Sequence, residues 1–459
     1  MIIENVHVAP VAGPEIPSGY IRIEGDRITE VGSGTPEAAP GETRIDGTGC
    51  LATPGLVNTH HHLYQWASQG LAQDATLFEW LVASYQVWAA MDAEVVKGAA
   101  AAGLGYLALS GCTLSSDHHY VFPKGRGDLF AAEIEAAREL GIRFHPARGS
   151  MDRGQSQGGL PPDVVVEDRD TILAATAEAI DAYHDPSFSS KLRVAVAPCS
   201  PFSVTAELMT EAAELARAKG VRLHTHLAET LDEDEHCVEA FGVRPVDYME
   251  KLGWLGPDVW FAHTVHLSDA DIDKFAATGT GSAHCPSSNG RLGAGIARVS
   301  EMLRRGANVG LGVDGNASSE LTTLSGEMRQ ALLFQRAAHG PTALTARQAL
   351  EMATLGGARN LGRADELGSL EPGKLADIAL WRVDGAFGSA VEDPVCQLVF
   401  GTRQPPLARL LVGGESVVEN DELKTVDQDA SGRAGAEAHR RLMRLAREQG
   451  FSVAKEVHT

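Results

Sequence analysis

No stretch of this 459-residue sequence approaches the run of ~20 apolar residues that a membrane-spanning helix needs, so no membrane span is expected. Positive charge is scarce. Lys and Arg number 39 against 61 Asp and Glu, a formal net charge of −22. A surface of that sign repels nucleic acid and anionic lipid, which disfavours both as partners and favours a small neutral molecule. The six cysteines (Cys50, Cys112, Cys199, Cys237, Cys285 and Cys396) lie far apart, and no CxxC occurs. That excludes a disulfide framework and a thiolate metal cluster, and reads as reduced thiols in a cytoplasmic protein. The opening MIIENVHVAPVAG has no basic segment followed by an apolar core, so no secretory signal is read. No GxGxxG follows the first apolar run, which argues against a dinucleotide-binding doubly wound sheet.

What is present is ordered. The first 53 residues alternate apolar and polar positions between Gly and Pro clusters, and the same texture returns in GSLEPGKLADIALWRV and LARLLVGGESVVEN. Such alternation marks short, half-buried strands. Both ends of the chain are therefore expected to build one small β-sandwich domain, from residues 1–53 and 363–425. Residues 54–362 instead alternate short apolar runs with amphipathic helical segments such as DLFAAEIEAAREL. Eight runs occur: LATPGLVNTHHH, GCTLSSDHH, GIRFHPARG, LRVAVAPCS, VRLHTHLAE, DVWFAHTVH, GTGSAHCPS and NVGLGVDG. Eight strand–helix alternations predict an α/β fold, a closed (β/α)8 TIM barrel. Residues 426–459 predict a C-terminal helix and tail, its amphipathic helix suited to wrapping a neighbouring subunit.

The polar residues of those runs fall at their C-terminal ends, the barrel face where active sites form. Strand alternation puts His60 and His62 on one side and His61 on the other. Two imidazoles one residue apart make a pincer for a divalent metal. Run five ends in His224, His226 and Glu229, run six in His263 and run eight in Asp314. A lone HxH is weak evidence, and a single buried histidine is more often a core residue than a ligand. Four such groups on one barrel face are not explained that way. A bound divalent metal lowers the pKa of water from 15.7 to about 7, and a nearby carboxyl can then move its proton onto a substrate nitrogen. In the first loop, Trp66 could stack on a flat ring and Gln65 could hydrogen-bond its edge. His118, His119 and Arg148 end runs two and three and are candidate pocket residues, while His61 and His224 are candidate supports of the metal-binding imidazoles.

The segments PGLVNTHHH (54–62), HTHLAET (224–230), AHTVHL (262–267), HCPSSNGRLGAGIA (284–297), LGVDGNAS (311–318) and GSLEPGKLADIAL (368–380) resemble the amidohydrolase superfamily. Within it they are similar to the cytosine- and guanine-deaminase-like branch. The resemblance spans nearly the whole chain in order. It implies a metal-dependent aminohydrolase with His60, His62, His226 and Asp314 as ligands, Glu229 as proton shuttle and His263 orienting the water or polarising the substrate. Dinuclear relatives carry a carboxylated lysine at the end of strand four. Here that position reads Ala197-Pro198-Cys199-Ser200, so one divalent metal is expected, Zn²⁺ first and Fe²⁺ second. A homodimer or larger homo-oligomer is usual for such barrels.

Further stretches, among them SDHHYVFP (116–123), FHPARGSM (144–151), SQGGLPPD (156–163) and APCSPFSV (197–204), are similar to branch members that deaminate 8-oxopurines. They imply an aminated oxopurine free base, 8-oxoguanine giving urate and ammonia. Cys199 fits this, since nucleoside-type deaminases tend to carry a ribose-binding histidine there. The alternatives are s-triazine hydrolysis, deamination of isocytosine or guanine, and, remotely, a non-catalytic barrel. Two departures bear on the choice. Ser288-Asn289-Gly290 stands where Ser-Asn-Met is usual, and the 315–323 loop differs from the common Ser-Asn-Asp-Gly.

Overall fold

The computed structural model describes residues 1–450 apart from 38–39, 386–389 and 391. The 451–459 end of the expected C-terminal tail lies outside the described residues, as do 386–389 and 391 within the second β segment.

Each of the eight apolar runs becomes a strand. They are Leu56–Asn58, Cys112–His119, Arg143–Ser150, Ala195–Pro198, Leu223–Leu227, Val259–His263, Gly281–His284 and Asn308–Leu311. They pair in sequence order, every pair parallel. The ring closes where Thr59 N donates to Leu311 O and Asp314 N donates to His60 O. Strand residues are buried almost throughout, as parallel strands covered by helices must be. Intervening helices start and stop on local signals. Asp128 caps helix Leu129–Leu140 and Thr205 caps Ala206–Lys219, and each helix ends on a left-handed glycine, Gly141 or Gly220.

The two chain ends meet in one nine-stranded mixed sheet. Cys50–Pro54 is its seam, antiparallel to Ile378–Arg382 and parallel to Ile2–Val8. The sheet encloses its own core, which includes Ile3, Val6, Ile21, Ile28, Ile378 and Leu411. It is tied to the barrel by polar contacts made in the dry. Arg143, on the third barrel strand, makes a bidentate pair with Asp377 at 2.8 and 3.0 Å, while within the sheet itself Trp381 Nε1 donates to Thr53 Oγ1.

Helix Gln428–Glu448 lies on its own chain. Its small-residue face, Ala434 and Ala438, meets Gly98 on helix Ala93–Leu109, and Arg441 pairs with Asp92 at 2.7 Å. The apolar stripe that could have wrapped a neighbour is thus used within the protomer. No helix among the described residues is long and apolar enough to cross a membrane.

Candidate active site

His60, His62, His226, His263, Glu229 and Asp314 converge at the C-terminal mouth of the barrel, all buried. The backbone that presents them is unusual. Ala228, His263, Thr264 and Asp314, at the ends of strands five, six and eight, have φ of 52°, 70°, 47° and 58°. L-residues adopt this left-handed region at a cost, and it persists here because the surrounding barrel over-determines it.

Hydrogen bonds fix which nitrogen of each imidazole faces inward. His62 Nδ1 donates to His118 O at 2.7 Å, and His226 Nδ1 donates to Cys199 O at 2.6 Å. His224 Nδ1 donates to Trp260 O, which leaves its Nε2 to accept from His60 Nδ1 at 2.8 Å. All three inward Nε2 atoms therefore carry lone pairs. His62 Nε2 and His226 Nε2 stand 3.1 Å apart, and His60 Nε2 is buried without a hydrogen-bond partner. Asp314 Oδ1 lies 3.4 Å from both His60 Nε2 and His62 Nε2. Burial lowers the pKa of His60 and His226 well below the usual value and that of His62 to about 4, so all three imidazoles are neutral at pH 7. Lone pairs aimed at one another, with a carboxylate beside them, are what a divalent cation would pull together.

Around this centre the pKa values of the two other groups are both raised, from different causes. Burial pushes the Glu229 carboxyl up to about 7, helped by Asp314 and opposed by His263. Burial would lower the His263 imidazole, but the Glu229 and Asp314 carboxylates outweigh it and raise the pKa. His263 Nδ1 donates to Asn289 Oδ1 at 3.0 Å, so its Nε2 points inward, 3.6 Å from Glu229 and 3.9 Å from Asp314. Asp314, which burial alone would raise, is held well below the carboxylate range by His60, His263 and His62.

These groups open into a tight cavity of about 30 Å³ lined by His62, Gln65, Leu77, Trp80, Leu81, Tyr85, Tyr120, Cys199, Phe202, Leu292 and Ser318 besides the polar centre. Gln65 is fully buried, and both its amide atoms lack a partner. It can sit there only because residue 315 is glycine, since a Cβ at that position would fall 1.9 Å from Gln65 Oε1. Cys199 also lines the cavity as a neutral thiol, its pKa pushed up to about 12 by burial.

Three residues expected in the pocket lie outside it. Trp66 turns away, packing on Tyr106 and on Gly435 of the C-terminal helix. The cavity tryptophan is Trp80, whose indole donates to Ala317 O. Arg148 is committed to Glu167 at 3.0 Å and stacks on Phe122. His119 is turned to Val121 O and Glu133. Of the expected supports, His224 holds His60, whereas His61 accepts from the backbone of His62.

Two positioning residues escaped the sequence reading, Asn289 and Glu233. Both oxygens of Glu233 accept backbone N–H groups, those of Ala228 and Glu229, at 2.9 Å each. Thr230-x-x-Glu233 carries the spacing of a helix capping box, which was the available signal. The glutamate reaches further back than a capping box does, to the turn that carries Glu229.

A sequence profile of the amidohydrolase family matches residues 51–417. The chain belongs to the amidohydrolase family. It is 43% identical over 413 residues to an 8-oxoguanine deaminase of Pseudomonas aeruginosa, covering 89% of this chain and 92% of the relative. An isoxanthopterin deaminase from an unknown prokaryotic organism is 38% identical over 454 residues, with 94% and 93% covered. Among solved structures, the atrazine chlorohydrolase of Arthrobacter aurescens TC1, complexed with zinc, superposes with a TM-score of 0.90 at 35% identity, covering 96% of this chain and 99% of that one. As an amidohydrolase with deaminase relatives, the protein is a hydrolase acting on C–N bonds.

Proposed function

We propose that this amidohydrolase deaminates an aminated oxopurine free base, 8-oxoguanine first, converting it with water to urate and ammonia. The single observation that carries the substrate class is the cavity: small, apolar on its walls, with the unpaired Gln65 amide aimed into it. Its free volume of about 30 Å³ is far below the ~300–1,000 Å³ of ordinary ligand pockets, so the walls must part for any ring to enter, which favours one flat ring system over a nucleoside. Trp80, Tyr85, Tyr120 and Phe202 supply aromatic surface, and Gln65, Ser318 and the Cys199 thiol supply polar contacts for ring edges. The identity to the 8-oxoguanine deaminase supports the choice within that class.

His60, His62, His226 and Asp314 would hold one divalent metal, Zn²⁺ before Fe²⁺. When bound, the metal supplies Lewis acidity that brings the pKa of water from 15.7 to about 7. The chain's own groups do the rest. Glu229, with a pKa near neutrality, takes a proton from the attacking water and returns it to the ring nitrogen beside the C–NH₂ carbon. His263 Nε2 orients the water or hydrogen-bonds the substrate. Asp314 accepts the second proton and passes it to the departing ammonia. Water adds its oxygen to the ring carbon, the C–N bond breaks, and both protons end on nitrogen.

The second reading is s-triazine hydrolysis, favoured by the TM-score of 0.90 to the atrazine chlorohydrolase. A panel of 8-oxoguanine, guanine, isoxanthopterin, isocytosine and hydroxytriazines, assayed for ammonia and for loss of the ring's absorbance, tests both. The oxopurine should turn over fastest with urate as product; fastest turnover of a triazine would replace this reading with the second.

A further inference from the structure

Behind His62 lies a second group of titratable side chains that the reaction does not use. Asp117 and His119 end the second barrel strand, and Glu133 projects towards them from the following helix, Leu129–Leu140. All three are fully buried at 0% exposure. Asp117 Oδ1 accepts from Leu63 N, and the Asp117 and Glu133 carboxyls hydrogen-bond each other, which requires a proton on one of them. Among the described residues no Lys or Arg is paired with either carboxylate.

His119 supplies the observation that points to a ligand. Its Nε2 donates to Val121 O at 3.1 Å, which leaves Nδ1 as a bare lone pair, buried, unpartnered and 3.3 Å from Glu133 Oε2. A metal-ligating imidazole has this arrangement, its other ring N–H held by a backbone carbonyl. The candidate donor atoms of the three residues lie within 4.8 Å of one another. Metal–ligand bonds of ~2.1 Å in tetrahedral geometry put donors about 3.4 Å apart, close to the His119–Glu133 spacing.

We propose that Asp117, His119 and Glu133 form a second metal site, which takes one divalent transition-metal ion and staples the second strand to the helix behind it. Two carboxylates and a neutral imidazole offer an O₂N set whose charge balances a 2+ ion. Without an ion, the two carboxyls must share a proton to lie together in the dry, and a 2+ ion would take that proton's place. The staple would act on the active site through His118, whose carbonyl accepts from His62 Nδ1 and whose neighbours in sequence, Asp117 and His119, are two of its ligands. This site is separate from the catalytic centre, where one metal is still expected.

The test is anomalous X-ray diffraction at the zinc edge on crystals of the full chain loaded with Zn²⁺, together with metal analysis. Two peaks are expected, one among His60, His62, His226 and Asp314 and one among Asp117, His119 and Glu133, with about two equivalents per chain. Glu133→Gln and His119→Gln should each lose the second peak and about one equivalent while keeping the first. A single peak at the barrel mouth, with a water or a short Asp117–Glu133 contact in the other place, overturns the proposal. The wild-type map decides this even if the variants do not fold. A peak at the second site and none at the barrel mouth would instead overturn the catalytic-metal reading and leave this one standing.

Discussion

Replacing Glu229 by Gln keeps the size of the side chain and removes only its ability to carry a proton. The consequence should be large, because neither neighbouring carboxyl is placed to carry the first proton, from water to the ring nitrogen. Asp314 is held ionised by His60, His263 and His62, and both oxygens of Glu233 are occupied by backbone N–H groups. Loss of a positioned acid–base group typically costs ~10²–10⁴-fold in rate, or about 2.7–5.4 kcal/mol of transition-state stabilisation. Glu229→Gln should therefore lower kcat by at least ~10²-fold with metal content unchanged. The wild-type pH profile gives an independent readout. Glu229 must be ionised to take a proton from water, and burial raises its pKa to about 7, so activity should fall as pH drops through that region. A bound cation favours the carboxylate and would move this acid limb somewhat lower. In the variant the limb should vanish from the residual activity. Steady-state ammonia release between pH 5 and 9, with metal analysis of both proteins, makes the measurement. Near-normal turnover in Glu229→Gln, or an unchanged acid limb, would refute the assignment.

Asp314→Asn should lose metal and turnover together, since the same carboxylate faces the histidine cluster and serves the leaving group; full metal retention with normal kcat would contradict both roles. Gln65→Leu removes two buried, unpaired polar atoms, so thermal stability should hold or rise while kcat/KM for the oxopurine falls by ~10-fold or more, the worth of a lost hydrogen bond in a dry site. An unchanged kcat/KM would place the ring elsewhere in the cavity. Arg143→Met leaves Asp377 charged and unpaired between sheet and barrel, and should cost about 3–5 kcal/mol in chemical denaturation. A loss under ~1 kcal/mol would mean that water reaches the site.

The barrel was legible because each strand is a short apolar run ending in a polar residue, a pattern that a parallel strand under helices imposes. The metal-ligand candidates were legible for the same reason. His60, His62, His226 and Asp314 mark strand ends, where the chain leaves the core for the mouth. The walls of the pocket were not. Whether Trp66 or Trp80 faces the cavity depends on where the C-terminal helix docks, and Gly435 contacts Trp66 from far along the chain. Arg148 reads as a pocket cation until Glu167, on the loop that follows its strand, takes its guanidinium. Asn289 sits in a segment noted only for its unusual neighbour, Gly290. Its bond to His263 arises from the meeting of two strand ends, which no local pattern encodes.

The ratio of kcat/KM for 8-oxoguanine to that for guanine decides the substrate. The two rings differ only along the N7–C8 edge, where an N–H and a carbonyl replace a bare nitrogen and a C–H, so the ratio isolates what the pocket does with that edge. A site with buried groups paired to that edge rejects the ring lacking it by large factors, because those groups are left unsatisfied. The account predicts a ratio of ~10² or more, with urate and ammonia formed in equal amounts. A ratio near one, or faster hydrolysis of a triazine than of either purine, would contradict it.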